Sequence, residues 1–311
     1  MPIMHSKVSA APAPSNPDLV GGPDWNAEHT ITTGINLPDQ ANIPAAPAAG
    51  QLTIFNRNRA GRALLHLIGP AGIDVALQPA MFGNSVYMWT PSTGTTVSTN
   101  FGTSWTARNA GTGTAQAHPT RASTNSLTSM NRATFGTGTT ATGSSGIQSA
   151  LQVAWRGNRA NEGGWFAFFR FAVETDAAGM QYMLGLSALN AALAGEPSAQ
   201  ANTVALVKDS ADTNWFVATR DGSAVTKTAT GKAVTAGEIL DFIMFAPPNS
   251  TSVTVRLVNA VTGTVHVDDV TITANLPVNT TFLYAHAQCR STAGTTAKLL
   301  ALNRIYVETD L

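Results

Sequence analysis

Cysteine is almost missing from this chain. Among 311 residues there is one, Cys289, which excludes an intrachain disulfide and any multi-cysteine zinc site. Charge is scarce as well: 18 basic and 18 acidic residues make up 12% of the sequence and cancel to zero. That is about half the charge of a free-standing soluble domain. No stretch is basic enough to follow phosphates, so nucleic acid is not an expected partner. Long apolar runs are missing too, which excludes a membrane-inserted helix. Met1 is followed by no charged-then-apolar leader, so synthesis in a cytoplasm, with release by lysis, is the expectation.

What is abundant is Thr, Ala, Ser, Asn and Gly. A polar but uncharged surface is poorly suited to a solitary protein and well suited to one held in an assembly. The densest apolar stretch is Gly163-Gly164-Trp165-Phe166-Ala167-Phe168-Phe169-Arg170-Phe171. With a period of two, Trp165, Ala167, Phe169 and Phe171 share one face, and Phe166, Phe168 and Arg170 the other. A strand apolar on both faces needs cover on both: a second sheet on one side, and a loop, arm or neighbouring subunit on the other.

The chain divides into three parts by composition. Residues 1–50 are rich in Pro and Ala with no sustained period, and predict an extended N-terminal arm. Within it, Trp25, Asn26, His29 and Ile31 are the candidate partner-binding residues. Residues 51–146 form a Thr- and Gly-rich region read as short strands rather than disorder, because Thr favours strands. Residues 147–311 predict a β-sandwich: alternating runs recur with turn signals such as Asp221-Gly222, Pro247-Pro248-Asn249 and Thr262-Gly263 between them. Ile147 through Gly157 fits a strand or a short helix equally well. Ser187 to Ala194 predicts two helical turns, with Ser187 as N-cap and Gly195 as the stop. Ile239 to Phe245, apolar on both faces, is expected beside the 165–171 strand. The fold class is therefore all-β, an antiparallel sandwich of jelly-roll or concanavalin-like type behind an arm.

Motifs for chemistry are few. His5, His29, His66, His118, His266 and His286 are scattered, none at metal-ligand spacing, so no metal site is expected. Gly111-Thr112-Gly113 and Gly136-Thr137-Gly138 lack the context of a phosphate loop and read as turns. No Gly-x-Ser-x-Gly elbow exists, no cofactor motif is found, and an enzyme is not expected. Glu162, Glu174 and Asp176 flank the aromatic strand. They are the nearest approach to a hydrolytic carboxylate pair, though such charges normally cap a strand in solvent. Asp268-Asp269 beside His266 reads as a hairpin turn between Val265–Val267 and Val270–Ile272 rather than a calcium site. Trp89, Trp105, Trp155 and Trp215 fall at strand ends or in loops. There a ring either stacks on a sugar or closes the core beneath a loop; Trp105 and Trp215 are the glycan-binding candidates. Cys289 reads as a small buried core residue.

Six stretches carry a family resemblance. Pro23-Asp24-Trp25-Asn26-Ala27-Glu28-His29 resembles a short N-terminal element of tail-fibre and other virion structural proteins of tailed bacteriophages. Gln51 through Arg62 with Gly69-Pro70-Ala71-Gly72 resembles the start of a phage structural module. Gly163–Phe171, Asp212-Thr213-Asn214-Trp215 and Ile305-Tyr306-Val307-Glu308-Thr309-Asp310 resemble its remainder. The resemblance implies a virion protein, bound to other virion proteins by its arm and displaying a β-sandwich, usually as a homotrimer. A tail fibre or spike, a head decoration protein and a lectin-like binder of host surface glycan all fit it. It brings no catalytic residues.

Overall fold

The computed structural model describes residues 37–40, 44–59, 62–70, 74–76, 84–91, 101–160, 162–293 and 298–309. The arm residues Trp25, Asn26, His29 and Ile31 lie outside the described residues. Near the arm's end the chain lies against a strand. Asp39 bridges Asn56 in parallel, the Gln40 N–H donates to Asn56 O at 2.8 Å, and Asn56 Nδ2 donates to Leu37 O at 3.4 Å. That strand, β1 (Thr53–Arg59), pairs with β2 (Arg62–Ile68), which pairs with β3 (Asp74–Ala76), in a small antiparallel sheet. Phe55 and His66 oppose each other across one rung, and their rings stack at 5.4 Å.

Fourteen further strands build two sheets. They are β4 (Ser85–Trp89), β5 (Trp105–Ala107), β6 (Ala133–Gly136), β7 (Ser144–Ser149), β8 (Trp165–Thr175), β9 (Met180–Ser187) and β10 (Thr203–Lys208). There follow β11 (Asn214–Arg220), β12 (Val225–Ala233), β13 (Ile239–Ala246), β14 (Val253–Asn259), β15 (Val265–Ile272), β16 (Tyr284–Ser291) and β17 (Leu299–Thr309). One sheet runs β12-β11-β10-β9-β16-β7-β5; the other runs β15-β14-β13-β8-β17-β4, with β6 also on β17. Every pairing between these strands is antiparallel. The sequence-level expectation of an all-β antiparallel sandwich holds.

The boundary expected at residues 146/147 does not. It falls inside β7, and β4, β5, β6 and β7 are strands of the two sandwich sheets. The Thr- and Gly-rich region thus supplies strands to the sandwich instead of forming a region of its own. Its glycines make the turns that return the chain to the sheets: Gly138 has φ +72°, and a Cβ there would meet Thr112 O at 2.0 Å.

The core lies between the sheets. From β8 come Trp165, Ala167, Phe169 and Phe171; facing them are Tyr182, Leu184 and Leu186 of β9, Leu206 of β10, and Ala285, Ala287 and Cys289 of β16. Burying each large side chain contributes about 1.5–3 kcal/mol. The β8–β13 pairing has the expected neighbours, with Phe169 opposite Phe242 and Phe168 opposite Ile243. Gly164 turns the chain into β8 at φ +80°, so close to the loop after β13 that a Cβ would meet Ala246 O and Pro248 N at 2.7 Å.

Two local expectations are overturned. Ser187 to Ala194 is not helical: Ser187 ends β9, and the chain continues as an irregular loop. The Ser187 hydroxyl contacts Thr203 Oγ1 at 2.8 Å and accepts from the Leu189 N–H at 3.2 Å. Leu193 is buried with Met183, Ala205, Val207 and Ala218 on the outer face of the β9 sheet. Two helical turns are too few to stand by propensity alone, and that burial wins. The described α-helix, α1 (Ser126–Ser129), lies elsewhere, capped by Asn125, whose side chain accepts from the Thr128 N–H at 2.9 Å. Nor do Asp268 and Asp269 turn a hairpin. Val265–Ile272 is a single strand with a bulge, Asp269 at φ +50°. The extra residue rotates both carboxylates toward Arg256, which donates to Asp268 and, at 3.1 Å, to Asp269.

Candidate functional site

Among the described residues, the outer face of the β8 sheet is covered at one end and partly open at the other. At one end a rung of two alanines and an isoleucine, Ala301, Ala172 and Ile239, is covered by Leu127 and Met130 around α1 and by Ala260. The alanines let that segment approach closely. At the other end the next rungs are wide and mostly apolar: Met88, Tyr306, Phe168 and Ile243 in one, and Val86, Phe166 and Phe245 in its neighbour, with Glu308 between Val86 and Phe166. Phe166 is 38% exposed, and the others are half-buried. Phe166 meets Tyr306 edge-on at 6.2 Å. The Tyr306 hydroxyl donates to Glu308 at 2.9 Å, and burial pushes its pKa upward. So the expectation of cover on both faces of the aromatic strand holds at the α1 end, while the Phe166 end stays partly open.

The glycan-binding candidates Trp105 and Trp215 are corrected by their burial. Trp105 is 4% exposed and Trp215 1%. Trp105 opens β5 and Trp215 is the second residue of β11, both on the inward side; Trp215 packs against Phe171 at 5.4 Å and Tyr182 at 5.6 Å. Neither ring can stack on a sugar. Trp89 is likewise buried, against Phe135 at 6.3 Å. Trp155 alone among the described tryptophans is half-buried, stacked on Phe282.

The carboxylates around β8 do not assemble into a catalytic pair. Glu162 precedes β8 and Glu174 stands near its far end, and the strand from Trp165 to Glu174 alone spans about 30 Å at 3.3 Å per residue, against the roughly 5–10 Å that glycoside hydrolysis requires. Glu174 pairs with the buried Arg132, and Asp176 accepts from the Tyr182 hydroxyl at 3.2 Å. A denser cluster lies at the edge of the other sheet. Lys227 donates to Asp209 at 2.8 Å and Asp212 at 2.6 Å, and its ammonium sits 4.5 Å from the Phe216 ring centre. Asp209 also accepts from the Ser198 N–H and hydroxyl. Lys208 buries its ammonium against Met180 O at 2.8 Å, and burial lowers its pKa. The internal ammoniums balance these carboxylates, and among the described residues no group of His, Cys, Asp and Glu is placed to hold a metal ion. Nor is any described helix long and apolar enough to cross a membrane.

Sequence reading missed the polar network that pins the 188–195 loop. Gln288 accepts from the Leu193 N–H at 2.8 Å and donates to Ala191 O at 3.2 Å. That fixes its amide, so Nε2 donates to His286 Nδ1 at 2.8 Å and holds the imidazole in its neutral, Nε2-protonated form. Beside it, Arg108 and Gln148 both donate to Asn190 Oδ1. These residues are far apart in sequence, and no spacing motif unites them.

No protein-family model and no curated protein matches the chain. Solved structures share its shape. A Shewanella oneidensis MR-1 protein of unknown function is similar at 13% identity over 73% of this chain and 87% of its own, with a TM-score of 0.53. Arcelin-5, a lectin-like defence protein from Phaseolus vulgaris, aligns at 10% identity over 74% and 99% of the two chains, TM-score 0.45. Lectin II from Ulex europaeus aligns at 12% identity over 73% and 98%, also at 0.45. At these identities the likeness speaks for the fold alone. The architecture is an antiparallel β-sandwich.

Proposed function

We propose that the chain is a structural component of a bacteriophage virion, held to other virion proteins by residues 1–50 and presenting the sandwich outward. In this reading the particle carries it as homotrimers, in the manner of a tail fibre or spike. The observation that supports association is the pair of open rungs on the β8 sheet, where Phe166, Phe168, Ile243, Phe245 and Tyr306 form an apolar strip at the middle of a sheet. A sheet face of that composition gains by meeting another like it, since each Å² of apolar surface removed from water contributes about 25 cal/mol. The scarcity of charge, 12% of residues, points the same way. The phage resemblance of the residues around Trp25, Gln51 and Gly163 supplies the kind of assembly.

Electron microscopy of particles carrying a tagged copy of the chain tests the reading. Label on the tail supports the fibre or spike assignment; label on the head reassigns the chain to decorating the capsid; particles that carry no label refute a virion role.

A further inference from the structure

Trp155 and Phe282 form the next pair outward from the Ala154–Leu283 bridge. In that bridge the Leu283 N–H donates to Ala154 O, and the Val153 N–H to Leu283 O, each at 2.7 Å. The two rings lie face to face, centroids 4.9 Å apart and planes 18° from parallel. Each ring gives one face to the other. Phe282 nevertheless keeps 46% of its surface exposed. The pair is thus a flat aromatic plate turned to solvent.

The plate is held rigidly. Trp155 O accepts from the Gly164 N–H at 2.8 Å, and Arg156 O accepts from the Asn249 N–H at 2.8 Å. The Arg156 side chain reaches Pro277 O at 2.8 Å and Ser250 O at 3.1 Å, so three loops are tied together behind the rings. A ligand landing there would not have to order the site first. Charged groups nearby are held by their own partners: the Arg156 guanidinium is committed to those carbonyls, and Arg159 pairs with Glu162 at 3.6 Å. The exposed Gln152 places its amide beside Phe282, Nε2 to the Phe282 carbonyl at 3.5 Å, with its own carbonyl oxygen left for a donor.

We propose that Phe282, backed by Trp155, is a stacking platform for a pyranose of a glycan. One face of a pyranose carries only C–H groups and matches an aromatic ring in size, while its hydroxyl rim needs hydrogen-bond partners such as the Gln152 amide supplies. A single plate of two rings is also far smaller than the roughly 800 Å² per partner of a stable protein interface.

The test uses the full chain and a panel of methyl pyranosides (α and β anomers of glucose, galactose and mannose), read by saturation-transfer NMR. The expected result is transfer to the C–H face of at least one member. Its affinity should fall about tenfold in Phe282→Ala, a typical loss for one aromatic contact. Phe282→Leu keeps Trp155 covered and the loop folded while removing the ring, and it should lose binding equally; it decides the matter if Phe282→Ala does not fold. Absence of transfer from the whole panel, or undiminished binding in folded Phe282→Leu, would overturn the proposal.

Discussion

Arg170 of β8 and Asp241 of β13 face each other across one rung, joined by two parallel hydrogen bonds of 2.7 Å. The guanidinium also lies 5.7 Å from the Phe168 ring centre. This ion pair separates the covered end of the outer β8 face from the open end, and it fixes the rung on which Phe168 and Ile243 follow. Because it is only partly shielded from water, it is worth more than a surface pair and less than a buried one. Asp241→Ala is expected to cost about 1–2 kcal/mol, read as a lower denaturant midpoint at unchanged slope. A double cycle with Arg170→Met isolates the pair; a coupling of zero would show that the pair contributes nothing.

Trp215 is a core residue in this structure and not a binding residue. Trp215→Ala should therefore destabilise the fold by about 3–5 kcal/mol through the cavity left between Phe171 and Tyr182. Phe282→Leu, at the surface, should cost less than about 1 kcal/mol. Thermal denaturation of the two variants side by side checks the contrast, and equal losses would contradict the placement of Trp215.

Cys289 sits between the sheets, fully buried, with its thiol against Phe135 O and Ser145 O. Burial pushes its pKa up to about 12, so almost no thiolate exists at neutral pH and reagents have no path to it. A thiol reagent should label the native protein only as fast as it opens, and label the unfolded chain at once. Stoichiometric labelling of the native state within seconds would disprove the burial.

His286 predicts an acid dependence. Burial holds its imidazole down to about 3 from the ordinary 6.5; the backbone of Leu189 offsets part of this, the Arg108 charge adds to it, and the Tyr284 ring stands edge-on at 6.4 Å. Above 6.5 both folded and unfolded chains carry the neutral ring, and the group makes no difference. As the pH falls from 6.5 toward 3 the unfolded chain takes up a proton that the folded chain refuses. Stability then drops by up to about 1.4 kcal/mol per pH unit. His286→Gln should flatten the stability profile between pH 6 and 4.5, as measured by denaturation in urea; an unchanged slope would contradict the burial.

Much of the fold was legible in the sequence because it rests on alternation. The β8 and β13 strands are apolar on both faces, and two such ribbons are most easily satisfied as neighbours at the centre of a sheet. Elements decided by tertiary context were not legible. The helix expected at Ser187–Ala194 yields to the burial of Leu193 and to bonds with Gln288, 95 residues away from Leu193. The bulge at Asp269 depends on one residue adopting φ +50°, which leaves no periodic trace. Trp105 and Trp215 misled because position near a strand end does not say which side of the sheet a ring occupies. Phe282 gave no signal at all: it lies between Thr281 and Leu283, and only the bridge to Ala154 brings it to Trp155.

Association through the open rungs of the β8 sheet is decided by the mass of the protein in dilute solution. Light scattering of the full chain should give about three times the 32.3 kDa of one copy, and Phe166→Glu, which puts a charge on the strip, should shift the protein toward single chains with its thermal midpoint little changed. A folded wild-type protein that stays a 32.3 kDa monomer at every concentration would contradict it.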